Sequence, residues 1–278
     1  MVAQSYKWRY QISRTALTVV CATALAALLY GCTTTGAATS GASTSGMVTP
    51  SDEPDVRRRA RIRLELAANY FEMGQAIVAL DEVKQALATD PSYSDALNLR
   101  GLIYMRLGDL QQAEESFRRA IALQNNDPNL LHNYGWLLCQ QGKNVLADKY
   151  FEQAISNPKY TELSKTWMTR GLCQSYAGQY DDAEISLLKS YGIDASNPVV
   201  GFHLASLLMR RNELKRAQFY IRRVNNNEYS NADSLWLGIK VERTLGDAVA
   251  VDQLANQLRK RFPESKELNA YQRGAFNE

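Results

Sequence analysis

Residues 101–120 read GLIYMRLGDLQQAEESFRRA, and the spacing within them decides the fold. Two amphipathic stretches with helical periodicity flank a Gly108-Asp109 break, which reads as helix, tight turn, helix. Gly101 stands seven residues before the turn glycine and Ala113 five after it, so the two helices can approach closely where they face each other. Phe117, nine after the turn, is the bulky residue expected to fill the space between neighbouring units.

The same spacing recurs outward in both directions. Breaks at Gly74-Gln75, Gly108-Asp109, Gly142-Lys143, Gly178-Gln179, Asn212-Glu213 and Gly246-Asp247 are separated by 34, 34, 36, 34 and 34 residues. Small residues before the turns (Ala67, Gly101, Gly135, Gly171, Ala205) and after them (Ala79, Ala113, Ala147, Ala183, Ala217) hold register. So do the bulky Val83, Phe117, Phe151, Leu187 and Ile221. Asp90-Pro91 and Asp127-Pro128, and at comparable junctions Asn157-Pro158 and Asn197-Pro198, are expected to supply a capping side chain followed by a first-turn proline. The last unit departs from the pattern: Gly238 is eight before its turn and Val251 replaces the alanine, as suits an end unit. This period and these small positions resemble the tetratricopeptide repeat. The expected fold is all-α, a solenoid of six helix-turn-helix repeats over residues 56–266, with 267–278 a C-terminal tail.

The N-terminal region has another character. Lys7, Arg9 and Arg14 precede an uncharged run from Thr15 to Tyr30, too short to span a bilayer as a helix, which normally takes about 20 residues. A basic segment followed by such a run reads as an export signal over residues 1–31. It ends in Leu29-Tyr30-Gly31-Cys32, which resembles the lipobox of bacterial lipoproteins. That resemblance implies lipidation of Cys32 and cleavage before it; Thr33, in place of a retention Asp, implies the periplasmic face of the outer membrane. Residues 32–55, rich in Thr, Ser, Gly and Ala, are expected to form a tether with a reach of about 25 Å.

The 278 residues carry 32 Lys and Arg against 29 Asp and Glu, a net charge of +3. The signal accounts for all of the excess: without Lys7, Arg9 and Arg14 the remaining chain is balanced at 29 against 29. A basic nucleic-acid surface is therefore not expected, and Arg57-Arg58-Arg59 and Arg222-Arg223, each with acidic neighbours, read as solvated helix faces. His132 and His203 fall in different repeats without a metal-ligand or acid–base constellation, and no phosphate loop or nucleophile elbow occurs. No catalytic residue, metal, cofactor or small-molecule substrate is expected. Cys139 and Cys173 lie in the first helices of adjacent repeats; an oxidising compartment would permit a disulfide, but their different repeat positions favour buried free thiols.

The first helices of such a solenoid line its concave side. Register places Leu64, Ala68 and Phe71 there, then Asn98, Leu102 and Met105, then His132, Trp136 and Cys139, then Met168, Leu172 and Tyr176, and finally Phe202 and Met209. The core of the expected partner-binding groove is Leu64, Phe71, Leu102, Met105, Trp136, Met168, Leu172 and Tyr176; basic clamp residues are sparse, and Arg106 comes nearest to being one. An apolar line at this spacing suits a helix or extended segment of a partner protein. A register error of one residue would turn each helix by about 100° and bury several of these side chains between repeats instead.

Lipobox, tether and repeats together resemble the PilF/PilW family of type IV pilus biogenesis lipoproteins. The resemblance extends to Asn133-Tyr134-Gly135-Trp136-Leu137-Leu138-Cys139, to Ser234-Leu235-Trp236-Leu237-Gly238-Ile239-Lys240 and to Leu258-Arg259-Lys260-Arg261-Phe262-Pro263. It implies a pilotin, which binds the secretin subunit of the pilus and promotes its outer-membrane localisation and multimerisation. Another periplasmic tetratricopeptide lipoprotein, serving β-barrel assembly or cell-wall hydrolases, is the alternative expectation.

Overall fold

The computed structural model describes residues 53–276, and every regular element among them is helical. Six antiparallel pairs follow one another: α1 (Asp55–Glu72) with α2 (Ala76–Thr89), α3 (Ser94–Leu107) with α4 (Leu110–Leu123), and α5 (Pro128–Gln140) with α6 (Asn144–Ile155). Then come α7 (Leu163–Tyr176) with α8 (Tyr180–Ile193), α9 (Pro198–Arg210) with α10 (Leu214–Asn225), and α11 (Ala232–Leu245) with α12 (Ala248–Arg261). A thirteenth helix, α13 (Lys266–Arg273), closes the series.

The six turns are built alike. The turn residue is left-handed in each, with φ from +73° to +82° at the five glycines and +60° at Asn212, a conformation that asparagine tolerates better than other side chains. The next N–H then folds back onto the carbonyl five residues earlier, as from Asp109 to Tyr104 (3.0 Å) and from Glu213 to Leu208 (2.8 Å). The chain thus reverses with its last helical carbonyls satisfied.

Within each pair, size is matched across the helix contact. A Cβ on Gly101 would lie 2.7 Å from the Phe117 ring, one on Gly135 2.9 Å from Phe151, and one on Gly171 2.8 Å from Leu187. The bulky residue therefore sits over the small residue of its own repeat; Phe117 also reaches Tyr134 of the next, with ring centroids 6.2 Å apart. Where the small residue is alanine, at Ala67 and Ala205, the residue in the register of Phe117 is the slimmer Val83 or Ile221, and all four are fully buried. Gly238 follows another rule. Its missing Cβ leaves room for the Asn225 amide of α10, which donates to the Ser234 carbonyl (3.0 Å), so its offset faces the preceding repeat.

Two of the four expected proline junctions are capped as predicted: Asp127 and Asn197 accept from backbone N–H groups of α5 and α9, with Pro128 and Pro198 in the first turn. The other two differ. Asp90 and Asn157 instead fold short turns, accepting from the N–H groups of Ser92 and Lys159, because three to five further residues intervene before α3 and α7. The C-terminal tail also differs from expectation. Ser265 caps α13, whose Leu268 and Ala270 are buried against α11 and α12, so the tail supplies the cover that a seventh repeat would otherwise provide.

First helices of successive repeats lie close to one another from α1 through α11, and α11 to α13; second helices of successive repeats are farther apart and meet through long side chains, as where Arg216 of α10 pairs with Glu184 of α8 and Tyr220 packs on Tyr191. The stack is therefore curved, with the first helices inside. Ion pairs stitch its surface: Arg57 to Asp90, Arg63 to Glu82, Arg211 to Glu184, and Arg222 to the buried Glu242. The arginine runs are thus largely committed to neighbouring carboxylates.

Candidate functional site

The concave face changes character along its length. Leu64, Phe71, Leu102, Met105 and Trp136 are half-buried against the N-terminal core, and the Arg106 guanidinium lies 5.0 Å from the centroid of the Phe71 ring. Met168 packs on the core of the fourth and fifth repeats. Leu172 is half-buried, whereas Tyr176 is 70% exposed. Much of the predicted line therefore serves inter-repeat packing as well as lining the groove. The face opens into a cavity of about 560 Å³ between α7 and α9, lined by Leu172, Ser175, Tyr176, Phe202, His203, Ser206 and Arg210. Phe202 also walls a second cavity of about 190 Å³, shared with Val199, Tyr229 and Asn231.

Two residues assigned to the groove do not belong to it. His132 is buried, its Nδ1 2.8 Å from the Thr166 hydroxyl, which the Tyr160 hydroxyl also meets at 2.6 Å. Burial, with a smaller contribution from Lys165, pushes its pKa down to about 4, so the imidazole is neutral and structural. Cys139 is likewise buried and forms a disulfide with Cys173, Cα to Cα 5.7 Å, contrary to the expectation of free thiols. Its physical reason is the stagger of adjacent first helices: Cys139 lies three residues before its turn and Cys173 five before its own, and the packing of α5 on α7 brings these unlike positions together. Cys32 lies outside the described residues.

The groove also contains features that repeat register does not single out. Phe276, just beyond α13, returns to the concave side and packs on Trp236, ring centroids 5.3 Å apart, with the Arg243 guanidinium 3.6 Å from its centroid. Arg210 and Lys240 lie near each other in the fifth and sixth repeats; burial and then the charge of Arg210 lower the Lys240 pKa. Among the described residues no cluster of His, Cys, Asp or Glu could hold a metal ion.

A curved stack of helical pairs with an accessible inner groove defines a solenoid of the tetratricopeptide-repeat class, and residues 92–159 match the tetratricopeptide repeat family. More particularly, the chain shares 30% identity with PilW, a widely conserved type IV pilus biogenesis factor, whose crystal structure superposes with a TM-score of 0.72. That match covers 77% of this chain and 98% of PilW. The Pseudomonas aeruginosa type IV pilus assembly protein PilF is 26% identical over 209 residues, which span 75% of this chain and 83% of PilF. The PilF structure superposes with a TM-score of 0.68. This chain belongs to the family of type IV pilus biogenesis tetratricopeptide proteins that includes PilW and PilF.

Proposed function

We propose that the chain is a pilotin: a lipoprotein anchored through Cys32 on the periplasmic face of the outer membrane, which binds the secretin subunit of the type IV pilus and promotes its localisation and multimerisation. The observation that carries this reading is an open inner groove, lined by both apolar and polar side chains, in a member of a pilus biogenesis family. The Cys139–Cys173 disulfide suits an oxidising compartment, and Leu29-Tyr30-Gly31-Cys32 supplies the anchor. Acyl chains contribute about 0.8 kcal/mol per buried methylene, so more than one holds the protein at the membrane stably. A groove tethered there raises the local concentration of the secretin segment it holds and favours ring closure.

The test replaces Cys32 with Ser. The repeats should fold with unchanged helicity, the protein should leave the outer-membrane fraction, and detergent-resistant secretin multimers should fall. Undiminished multimers would refute the anchoring role, and failure of the secretin to co-purify with the native protein would refute the partner.

A further inference from the structure

Two rings on the inner face lie against arginine. The Phe71 ring, from the first repeat, meets Arg106 of the second, and Phe276 meets Arg243 of the sixth. Arg210 occupies the same register as Arg106, two residues before its turn, and the position corresponding to Phe71 in the preceding repeat is Ser175. The chain thus has the guanidinium and omits the ring. The cavity of about 560 Å³ lies at that omission, walled by Ser175, Tyr176, Phe202 and Arg210. No acidic residue lines it, and Arg210 makes no ion pair among the described residues, whereas Arg211 beside it is paired with Glu184.

We propose that this cavity receives an aromatic side chain from a partner protein segment, inserted between Tyr176 and Phe202 beside Arg210, with an acidic residue of the same segment against the guanidinium. The proposal rests on the groove being the partner-binding surface and assigns the fourth and fifth repeats as its specificity pocket. Phe276 shows the chemistry within the chain itself: a phenyl ring held by two aromatic residues, Trp236 and Tyr271, and one arginine, as the cavity would hold it between Tyr176 and Phe202 beside Arg210. The positive charge of Arg210 on the cavity wall complements a carboxylate.

The experiment titrates the mature chain with a synthetic heptapeptide, Gly-Ser-Phe-Asp-Glu-Ser-Gly blocked at both ends, and follows amide shifts by NMR. Shifts should cluster at Leu172, Ser175, Tyr176, Phe202 and Arg210. Replacing the peptide phenylalanine with alanine should weaken binding by about tenfold or more, the scale expected for loss of a buried aromatic anchor. Ser175→Phe supplies the missing ring internally and should block the peptide to a similar degree. Arg210→Ala should weaken binding by about threefold and flatten its salt dependence. Should Ser175→Phe fail to fold, Arg210→Ala and the alanine peptide still decide the matter. Shifts confined to another surface, equal affinity for the alanine peptide, or undiminished binding by folded Ser175→Phe would overturn the proposal. The assay contains no secretin, so its failure alongside intact secretin co-purification would remove the pocket and leave the pilotin reading standing.

Discussion

Reducing the Cys139–Cys173 disulfide is the perturbation whose consequence is most directly calculable. The bridge closes a loop with a sequence separation of 34. Chain-entropy loss in the unfolded state for a loop of that size is about 12.6 cal/mol/K, or about 3.8 kcal/mol at 25 °C. Its location adds a second effect. The buried N-terminal core runs from Ala60 to Phe151, and from α7 onward the only buried residue in it is Cys173. The junction of the third and fourth repeats is otherwise notably polar: Arg170 and Gln174 donate to Asp148, and Thr166 meets His132. In a solenoid, stability is a sum of repeat and nearest-neighbour contributions, so weakening one junction uncouples what lies on either side. Urea unfolding followed by circular dichroism, with and without a phosphine reductant, should show a loss of about 3–4 kcal/mol on reduction. Hydrogen exchange in the reduced protein should separate α1–α6 from α8–α12. Cys139→Ala/Cys173→Ala should reproduce the reduced behaviour and be insensitive to reductant. Coincident urea curves for oxidised and reduced protein would refute the reasoning, as would a uniform change in exchange along the stack.

His132 should make stability depend on pH. Its folded pKa of about 4 lies below the unfolded value of 6.5, so the unfolded chain binds more protons between them and stability falls as pH drops through that window. The fall should total about 3 kcal/mol and disappear in a folded His132→Gln protein, as read from urea midpoints; an unchanged slope would show another group responsible. Gly101→Ala should destabilise by about 1–3 kcal/mol because its Cβ meets a buried ring. Combining it with Phe117→Ile, which imitates the Ala205–Ile221 pairing, should recover part of that loss; strictly additive losses in thermal melts would contradict the size-matching argument.

The repeats were legible because their chemistry is local. A left-handed turn selects glycine, and a close helix contact selects glycine or alanine opposite a bulky residue, so both write themselves at fixed spacing. Asn212 shows the tolerance of that code, since register identified the turn although the residue is not glycine. What escaped depends on geometry between elements. The stagger of α5 against α7 joined Cys139 to Cys173 despite unlike register. The last helix escaped because it has no partner helix and ends at Gly274, 28 residues after Gly246 rather than 34. The return of Phe276 to Trp236 carries no periodic signal at all. In the groove, register identified the inner face, but only neighbouring side chains decide that Phe71 meets Arg106 while Ser175 leaves space beneath Arg210.

First helices lie close to their successors, whereas second helices are farther apart and meet through long side chains such as Arg216 with Glu184, and this gives the stack the mechanics of a leaf spring. Bending it wider strains the narrow inner line of contacts, while the longer side chains that bridge the outer line can swing to follow. Small rotations at each junction therefore add up to a large change in the span of the groove, at a small strain per repeat. A bound segment under tension would load that inner line progressively, and the stack would yield by uncurling before any single repeat unfolds.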